Sequence, residues 1–121
     1  MPTETPGADA PQFLQDAYDY YNTERGSHAN ATGNFRYVST LRQLEFYPFA
    51  MIEFMSPRPL LLIAGSKAQT LYFSERAYEL AKDPKELYII DGAKHFDLYD
   101  KEPYVSEAVD KLADFFHHHL T

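Results

Sequence analysis

His95 is the residue whose type and position in this sequence best suit it to do chemistry. It closes the segment DGAKH at 91–95, directly after the apolar run at 87–90. Side chains that follow buried parallel strands point into the ligand crevice of doubly wound α/β folds, so an imidazole here is placed as a general base would be. A lone loop histidine is often only bonded to a backbone carbonyl. The strand before His95 and the amphipathic helix after it favour the interpretation of His95 as a general base.

Two apolar runs and a helix between them predict the scaffold that positions His95. The first run begins at Leu60, ends at Ala64 and is closed by Gly65, and the run at 87–90 repeats the pattern. Apolar runs without alternation are typical of parallel strands covered on both faces. Between them, Ser74 is the predicted N-cap of a helix that ends before Asp83 and Pro84. The result is a β-α-β unit with a right-handed crossover.

Helical spacing predicts further helices on both sides of this unit. Apolar residues recur with a helical period at 11–21, and again from about Pro103 to the end of the chain, where the helix should cover one face of the sheet. The segment 22–40 has the composition of a long irregular loop. A proline that can occupy a first helical turn predicts a short helix at 48–55.

Composition limits the classes of function. The 121 residues suit a single domain, and 18 acidic against 11 basic residues give a net charge of −7, which would repel nucleic acid. There is no cysteine, and the longest apolar run is far shorter than the roughly 20 residues that cross a bilayer. The first residues lack the basic and apolar regions of a secretion signal. We therefore expect a cytoplasmic protein that binds neither nucleic acid nor membrane.

The ordered motifs of this chain resemble those of one family. They are DAYDYYNTERGSH, SPRPLLLIAGS, SERAYE, KELYIIDGAKH, DLYD and FFHHHL. Together they resemble the C-terminal section of dienelactone-hydrolase-like and polyketide-transferase-like α/β-hydrolases. The resemblance implies an α/β fold in a single truncated hydrolase-like domain. Residues 1–57 would be a lid-like helical region, and residues 58–121 would be the parallel β-α-β unit with the terminal helix.

The same resemblance implies roles for individual residues. His95 would be the base of a serine-hydrolase triad. The triad acid is expected in the loop at 65–70, near Ala68 or Gln69, and this chain has no Asp there. An amide such as that of Gln69 cannot stabilise an imidazolium as a carboxylate does. We do not expect Gln69→Asp alone to create hydrolase activity, because the base would still lack a nucleophile.

The nucleophile of such an enzyme is missing from the sequence. Its elbow has the form G-x-S-x-G, and no two glycines of this chain are four positions apart. Phosphate-binding glycine loops are excluded by the same spacing, so no nucleotide cofactor is expected. Three serines near predicted strand or helix ends, Ser56, Ser66 and Ser74, are expected to act in turns and caps.

Other polar clusters have simpler interpretations. His117, His118 and His119 are consecutive, and neighbouring side chains on a helix point about 100° apart, so the three do not converge on one metal ion. We therefore interpret them as cations that are favourably placed at a helix C-terminus. No metal is expected. The carboxylate pairs Asp16/Asp19 and Asp97/Asp100 are expected to be solvated charge on polar faces rather than acid/base partners.

Three hypotheses of function follow. In the first, the chain is part of a serine hydrolase that is inactive alone and acts on a small ester or acyl substrate only when completed by the missing part. In the second, it is a non-catalytic module that self-associates or binds a partner. In the third, it is a small enzyme in which His95 activates an unrecognised nucleophile.

A homo-oligomer is expected, with the strand from Leu60 to Ala64 at the interface, because two strands leave an apolar edge unpaired. The alternative is that residues 22–47, with Phe35 and Leu41 among them, cover that edge. His95 is expected at the mouth of a shallow crevice.

Overall fold

A computed structural model describes residues 4–31 and 36–120 of the protein. They form two compact units, Met1–Tyr47 and Pro48–Thr121. Phe35, one of the residues expected to cover the strand edge, lies outside the described residues. No helix in the described part of the chain combines the length and the apolar character needed to cross a membrane.

The described residues of the first unit form two helices. Helix α1, Gln12–Tyr21, confirms the helix predicted at 11–21, and its one buried residue is Ala17. Helix α2, Val38–Glu45, begins inside the segment expected to be irregular, so that expectation is wrong at its end. This helix carries Val38, Leu41 and Leu44 at helical spacing, but a composition averaged over residues 22–40 hides a helix that begins at the end of that segment.

The second unit is built on the predicted β-α-β element, which gives the protein a mixed α/β fold. Strands β1, Leu60–Gly65, and β2, Lys85–Ile90, are parallel, and their register runs from the pair Leu60 and Lys85 to the pair Gly65 and Ile90. Helix α3, Leu71–Leu80, connects them. It begins one turn earlier than predicted: Thr70 is at the N-cap position, and Ser74 lies inside the helix.

Helices pack on both faces of β2, because its side chains alternate between the face that meets α5 and the face that meets α3. Helix α5, Tyr104–His119, confirms the terminal helix. On its side, the Tyr88 hydroxyl donates to Glu107 at 3.0 Å, and Lys111 forms an ion pair with Glu86. On the other side, the Lys85 ammonium donates to the α3 carbonyl of Tyr78 at 2.6 Å. Cover on both sides explains why β2 contains an apolar run without alternation.

The helix predicted at 48–55 is shorter than expected. The structure has a turn and then a single 3₁₀ turn at Ile52–Met55. Met51 has a left-handed backbone with φ of 64°, which a continuous right-handed helix cannot contain. A four-residue helix α4, Asp97–Asp100, lies between β2 and α5 and was not predicted separately.

Part of the apolar surface of this unit remains exposed. Val109, Leu112 and Phe116 fall on one stripe of α5 and are 54%, 37% and 49% exposed. Helix α5 therefore covers the sheet with another of its faces and leaves this stripe partly exposed. Among the described residues the sheet has two strands, so each has one edge without a neighbouring strand.

Candidate functional site

A pocket of about 350 Å³ lies where β1 and β2 end. Its walls are mostly apolar and include Ile63, Phe73 and Leu98. The few polar groups in the lining are the side chains of Thr70, Ser74, His95 and Tyr99. Such pockets, apolar with a few convergent polar groups at the carboxyl ends of parallel strands, are typical ligand sites. His95 is half-buried in this lining.

Both ring nitrogens of His95 have a hydroxyl partner. The Thr70 Oγ1 lies 2.8 Å from Nδ1, and the Tyr99 hydroxyl lies 2.9 Å from Nε2. Because a hydroxyl can donate or accept, this arrangement suits either neutral tautomer. The side chain of Tyr99 packs edge-on against the imidazole, with ring centroids 5.5 Å apart. The ring of His95 is thus held by hydrogen bonds on two sides.

Sequence reasoning identified His95 and missed both hydroxyl partners. It named Gln69 as the residue in the place of the triad acid, and the structure puts the neighbouring Thr70 within hydrogen-bond distance of Nδ1, while Gln69 is exposed. Thr70 lies inside the predicted acid loop and could have been considered for that reason. Tyr99 follows His95 by four residues, a spacing that places side chains together when a turn of helix intervenes.

Burial lowers the pKa of the His95 imidazole below its ordinary value. The ring is therefore neutral at neutral pH, as a proton acceptor must be. The unfolded chain takes up this proton at a higher pH than the folded protein does. Titration of His95 therefore leaves the free energy of unfolding unchanged above a pH of about 6.5. Below that pH, the free energy of unfolding decreases as the pH falls through the folded-state pKa.

The loops that carry these residues are held together through their backbones. The Ser66 hydroxyl donates to Asp91 at 3.0 Å and accepts from the Gly92 N–H at 2.8 Å. The Ala93 carbonyl accepts from the Lys67 N–H at 2.9 Å. Gly92 has φ of 77°, a left-handed conformation that glycine adopts without strain. The loop after β1 and the loop that carries His95 thus form one connected edge.

Asp97 anchors the far side of the His95 loop. Its carboxylate is buried, accepts from the Lys94 N–H at 3.1 Å and pairs with Lys101 at 2.8 Å. The expectation that Asp97 and Asp100 are both solvated charge is therefore wrong for Asp97, because the turn folds its side chain back onto the backbone. Asp100 is exposed, as expected.

We expect Asp97→Ala to lower the free energy of unfolding by about 2 kcal/mol, since the Lys94 N–H and the Lys101 ammonium lose a charged partner. Urea unfolding measures this change. Asp100→Ala is the matched control, because Asp100 ends the same short helix in an exposed position and should cost under about 0.5 kcal/mol. Equal midpoints for the two variants would show that Asp97 does not anchor the loop.

The other candidate residues have structural roles in the structure. The Ser56 hydroxyl donates to the Asp83 carbonyl at 2.7 Å, a contact between turns. His117, His118 and His119 form the last turn of α5, where protonated side chains suit the helix dipole. Asp19 pairs with Arg25 at 2.9 Å. Asp16 accepts from Gln12 at 3.0 Å. Within residues 4–31 and 36–120, no three His, Asp or Glu side chains cluster as a metal site would require.

Comparison with known proteins finds similarity to two bacterial proteins. The chain is 42% identical over 120 residues to "Uncharacterized protein PA2218" of Pseudomonas aeruginosa, which covers 97% of this chain and 32% of that protein. It is 37% identical over 112 residues to "Uncharacterized protein YcjY" of Escherichia coli, covering 90% of this chain and 36% of that protein. No family model matches the chain.

The fold is similar to that of a solved structure. The crystal structure of hypothetical protein PA2218 from Pseudomonas aeruginosa superposes with a TM-score of 0.87 at 42% identity. That superposition covers 96% of this chain and 36% of the solved chain. The protein thus spans about a third of the length of the relatives that it matches.

Proposed function

We propose that this chain is the histidine-bearing end of an α/β-hydrolase, similar to the dienelactone-hydrolase-like and polyketide-transferase-like enzymes. The observation that carries the proposal is the placement of His95: after β2, in an apolar pocket, with a hydroxyl within 3 Å of each ring nitrogen. The reaction would be ester or thioester hydrolysis, or acyl transfer, with the nucleophile supplied by another segment of polypeptide.

The Nδ1 contact of His95 suits the work of a triad base. A base must accept the proton of a serine at Nε2 while its Nδ1 is held in one orientation. Thr70 supplies such an orienting contact at Nδ1. Its hydroxyl carries no charge, so it stabilises the imidazolium less than a carboxylate would, and we expect a weaker base than in a complete triad. Burial lowers the pKa of His95, which keeps the acceptor form present at neutral pH.

The lengths of the relatives and the pocket lining also support the proposal. A chain that spans about a third of its relatives leaves two thirds of their length to provide a nucleophile and an oxyanion site. Phe73 and Leu98 in the lining suit an apolar acyl group. The lack of cysteine is compatible with the reducing cytoplasm as the site of action.

The experiment transplants this chain into its relative. The chain replaces the matching 120 residues of the Pseudomonas protein, and hydrolysis of p-nitrophenyl acetate is followed. We expect the chimaera to hydrolyse the ester, His95→Ala to slow it at least about 100-fold, and His118→Ala, an exposed histidine of α5, to leave it unchanged. A rate that does not depend on His95 would refute the proposed role.

A second candidate function, self-association, is favoured by the exposed apolar surface. The edge of β1 has no neighbouring strand among the described residues, and the stripe of Val109, Leu112 and Phe116 is half exposed on α5. Unpaired edges and apolar patches of this kind are usually covered in soluble proteins. A two-fold dimer with β1 at its interface would pair the edge and bury apolar area together.

We expect light scattering at low micromolar concentration to give a mass of twice the 14.0 kDa of one chain. Leu61→Lys, which puts a charge into β1, should shift the protein to single chains, whereas Leu44→Lys on the exposed side of α2 should not. Circular dichroism checks that both variants fold. A single-chain mass for the unmodified protein would exclude the dimer.

A further inference from the structure

We propose that Tyr99 is a nucleophile that His95 activates, and that activated aryl esters acylate its phenol oxygen in this chain alone. The observation is the 2.9 Å contact between the Tyr99 hydroxyl and Nε2, on the side of the ring from which a triad base takes a proton. The inference uses the same imidazole as the proposed hydrolase function. It requires neither the absent serine nor any other segment of polypeptide.

The tautomer that the reaction needs is compatible with the partner on the other side of the ring. For Nε2 to accept the phenol proton, the proton of the neutral ring must be on Nδ1. That N–H then donates to the Thr70 Oγ1 at 2.8 Å, which accepts as a hydroxyl can. Thr70, His95 and Tyr99 therefore form a hydroxyl–imidazole–hydroxyl chain. Burial favours the neutral ring and so the accepting form.

The surroundings of Tyr99 keep its oxygen both fixed and reachable. Its ring packs edge-on against His95 and against the buried Phe96, with centroids 5.5 and 5.7 Å away. Tyr99 is nevertheless 46% exposed and lies at the wall of the pocket. A reagent can approach the phenol from solvent while its acyl group enters the apolar cavity beside Leu98.

The step balances without another reactant. The phenol oxygen attacks the ester carbonyl while its proton passes to Nε2. The carbonyl carbon then releases the aryl oxide, which takes the proton from the imidazolium and leaves as a phenol. One O–H bond and one ester bond break, and one tyrosyl ester and one O–H bond form, so His95 returns to its neutral form.

The test treats the complete chain with p-nitrophenyl acetate and measures acetylation of each tyrosine by peptide mass mapping over time. Tyr72 is the internal control, because it is 57% exposed and none of its described contacts is with a histidine. We expect Tyr99 to be acetylated at least about 10-fold faster than Tyr72, in keeping with general-base assistance. His95→Ala should reduce the rate at Tyr99 to that at Tyr72.

Tyr99→Phe separates the phenol from the imidazole as the attacking group. This variant keeps the aromatic ring and should abolish the His95-dependent release of p-nitrophenolate. Equal acetylation of Tyr99 and Tyr72, or acetylation of Tyr99 that persists in His95→Ala, would overturn the proposal. So would a His95-dependent release that survives Tyr99→Phe, because the imidazole itself would then be the nucleophile. Hydrolysis by the chimaera, where the nucleophile is outside this chain, is distinguished from these outcomes by turnover in Tyr99→Phe that exceeds the release of p-nitrophenolate by this chain alone.

Discussion

Gly65→Ala is expected to lower the free energy of unfolding by about 3 kcal/mol or more. A Cβ at position 65 would overlap the backbone carbonyl of Ala93, with the carbonyl carbon only 2.6 Å away and the Ala93 Cβ at 2.9 Å. Backbone atoms cannot move aside as the end of a flexible side chain can. Overpacking of this kind costs about 1–3 kcal/mol, and more when the backbone must shift.

The contact is also the point at which the two site loops meet. Moving the Ala93 carbonyl would lengthen its hydrogen bond from the Lys67 N–H, now 2.9 Å, and displace His95 two residues later. Urea unfolding measures the loss of stability. Gly7→Ala is the matched control, since a Cβ there has no atom within 4 Å. Equal midpoints for the two variants would contradict the close approach of the loops.

Thr70→Asp is expected to raise the pKa of His95 by about 1–2 units. In the unmodified protein, burial lowers this pKa and the Nδ1 partner is an uncharged hydroxyl. A carboxylate at the same position stabilises the imidazolium by direct charge attraction, which shifts pKa values by about 1–3 units at such distances. The position also tolerates the change, because Thr70 is at the N-cap of α3, where Asp is favoured.

Titration of the His95 ring by NMR measures the effect, and Thr70→Asn is the control because it has the shape of Asp without its charge. In the chimaera, the same Thr70→Asp change should raise ester hydrolysis by about 100-fold or more, since loss of the triad carboxylate costs about 10⁴ in complete triads. A His95 pKa that is unchanged or falls in Thr70→Asp would show that position 70 is not the Nδ1 partner in solution.

The sequence was sufficient to predict the β-α-β unit because its signals are local and redundant. Two unbroken apolar runs, each followed closely by a glycine, flank a helix. This pattern predicted the ends of β1 and β2 to within about two residues and placed His95 in the loop after β2. Helix α2 was missed because the loop was predicted from the composition of the whole segment 22–40, although Val38, Leu41 and Leu44 recur at helical spacing. The left-handed backbone of Met51, which precedes the 3₁₀ turn, also cannot be predicted from amino-acid composition.

The contact between Thr70 and His95 depends on the fold and not on residue spacing. Thr70 and His95 are 25 residues apart and meet because parallel strands bring their following loops to one edge. Sequence reasoning could name the loop, but only the geometry distinguishes Thr70 from Gln69. Asp97 resembles a surface carboxylate in sequence, and a single turn folds it onto the Lys94 N–H.

The most direct test of the proposed base asks whether His95 activates a serine. A fluorophosphonate reagent, which modifies activated serines, is applied to the chimaera with the Pseudomonas relative, and the modified residue is identified by mass spectrometry. The proposal predicts modification of one serine outside the transplanted chain, slowed at least about 100-fold by His95→Ala and unchanged by His118→Ala. Modification of that serine at the same rate in His95→Ala, or no modified serine, would contradict it.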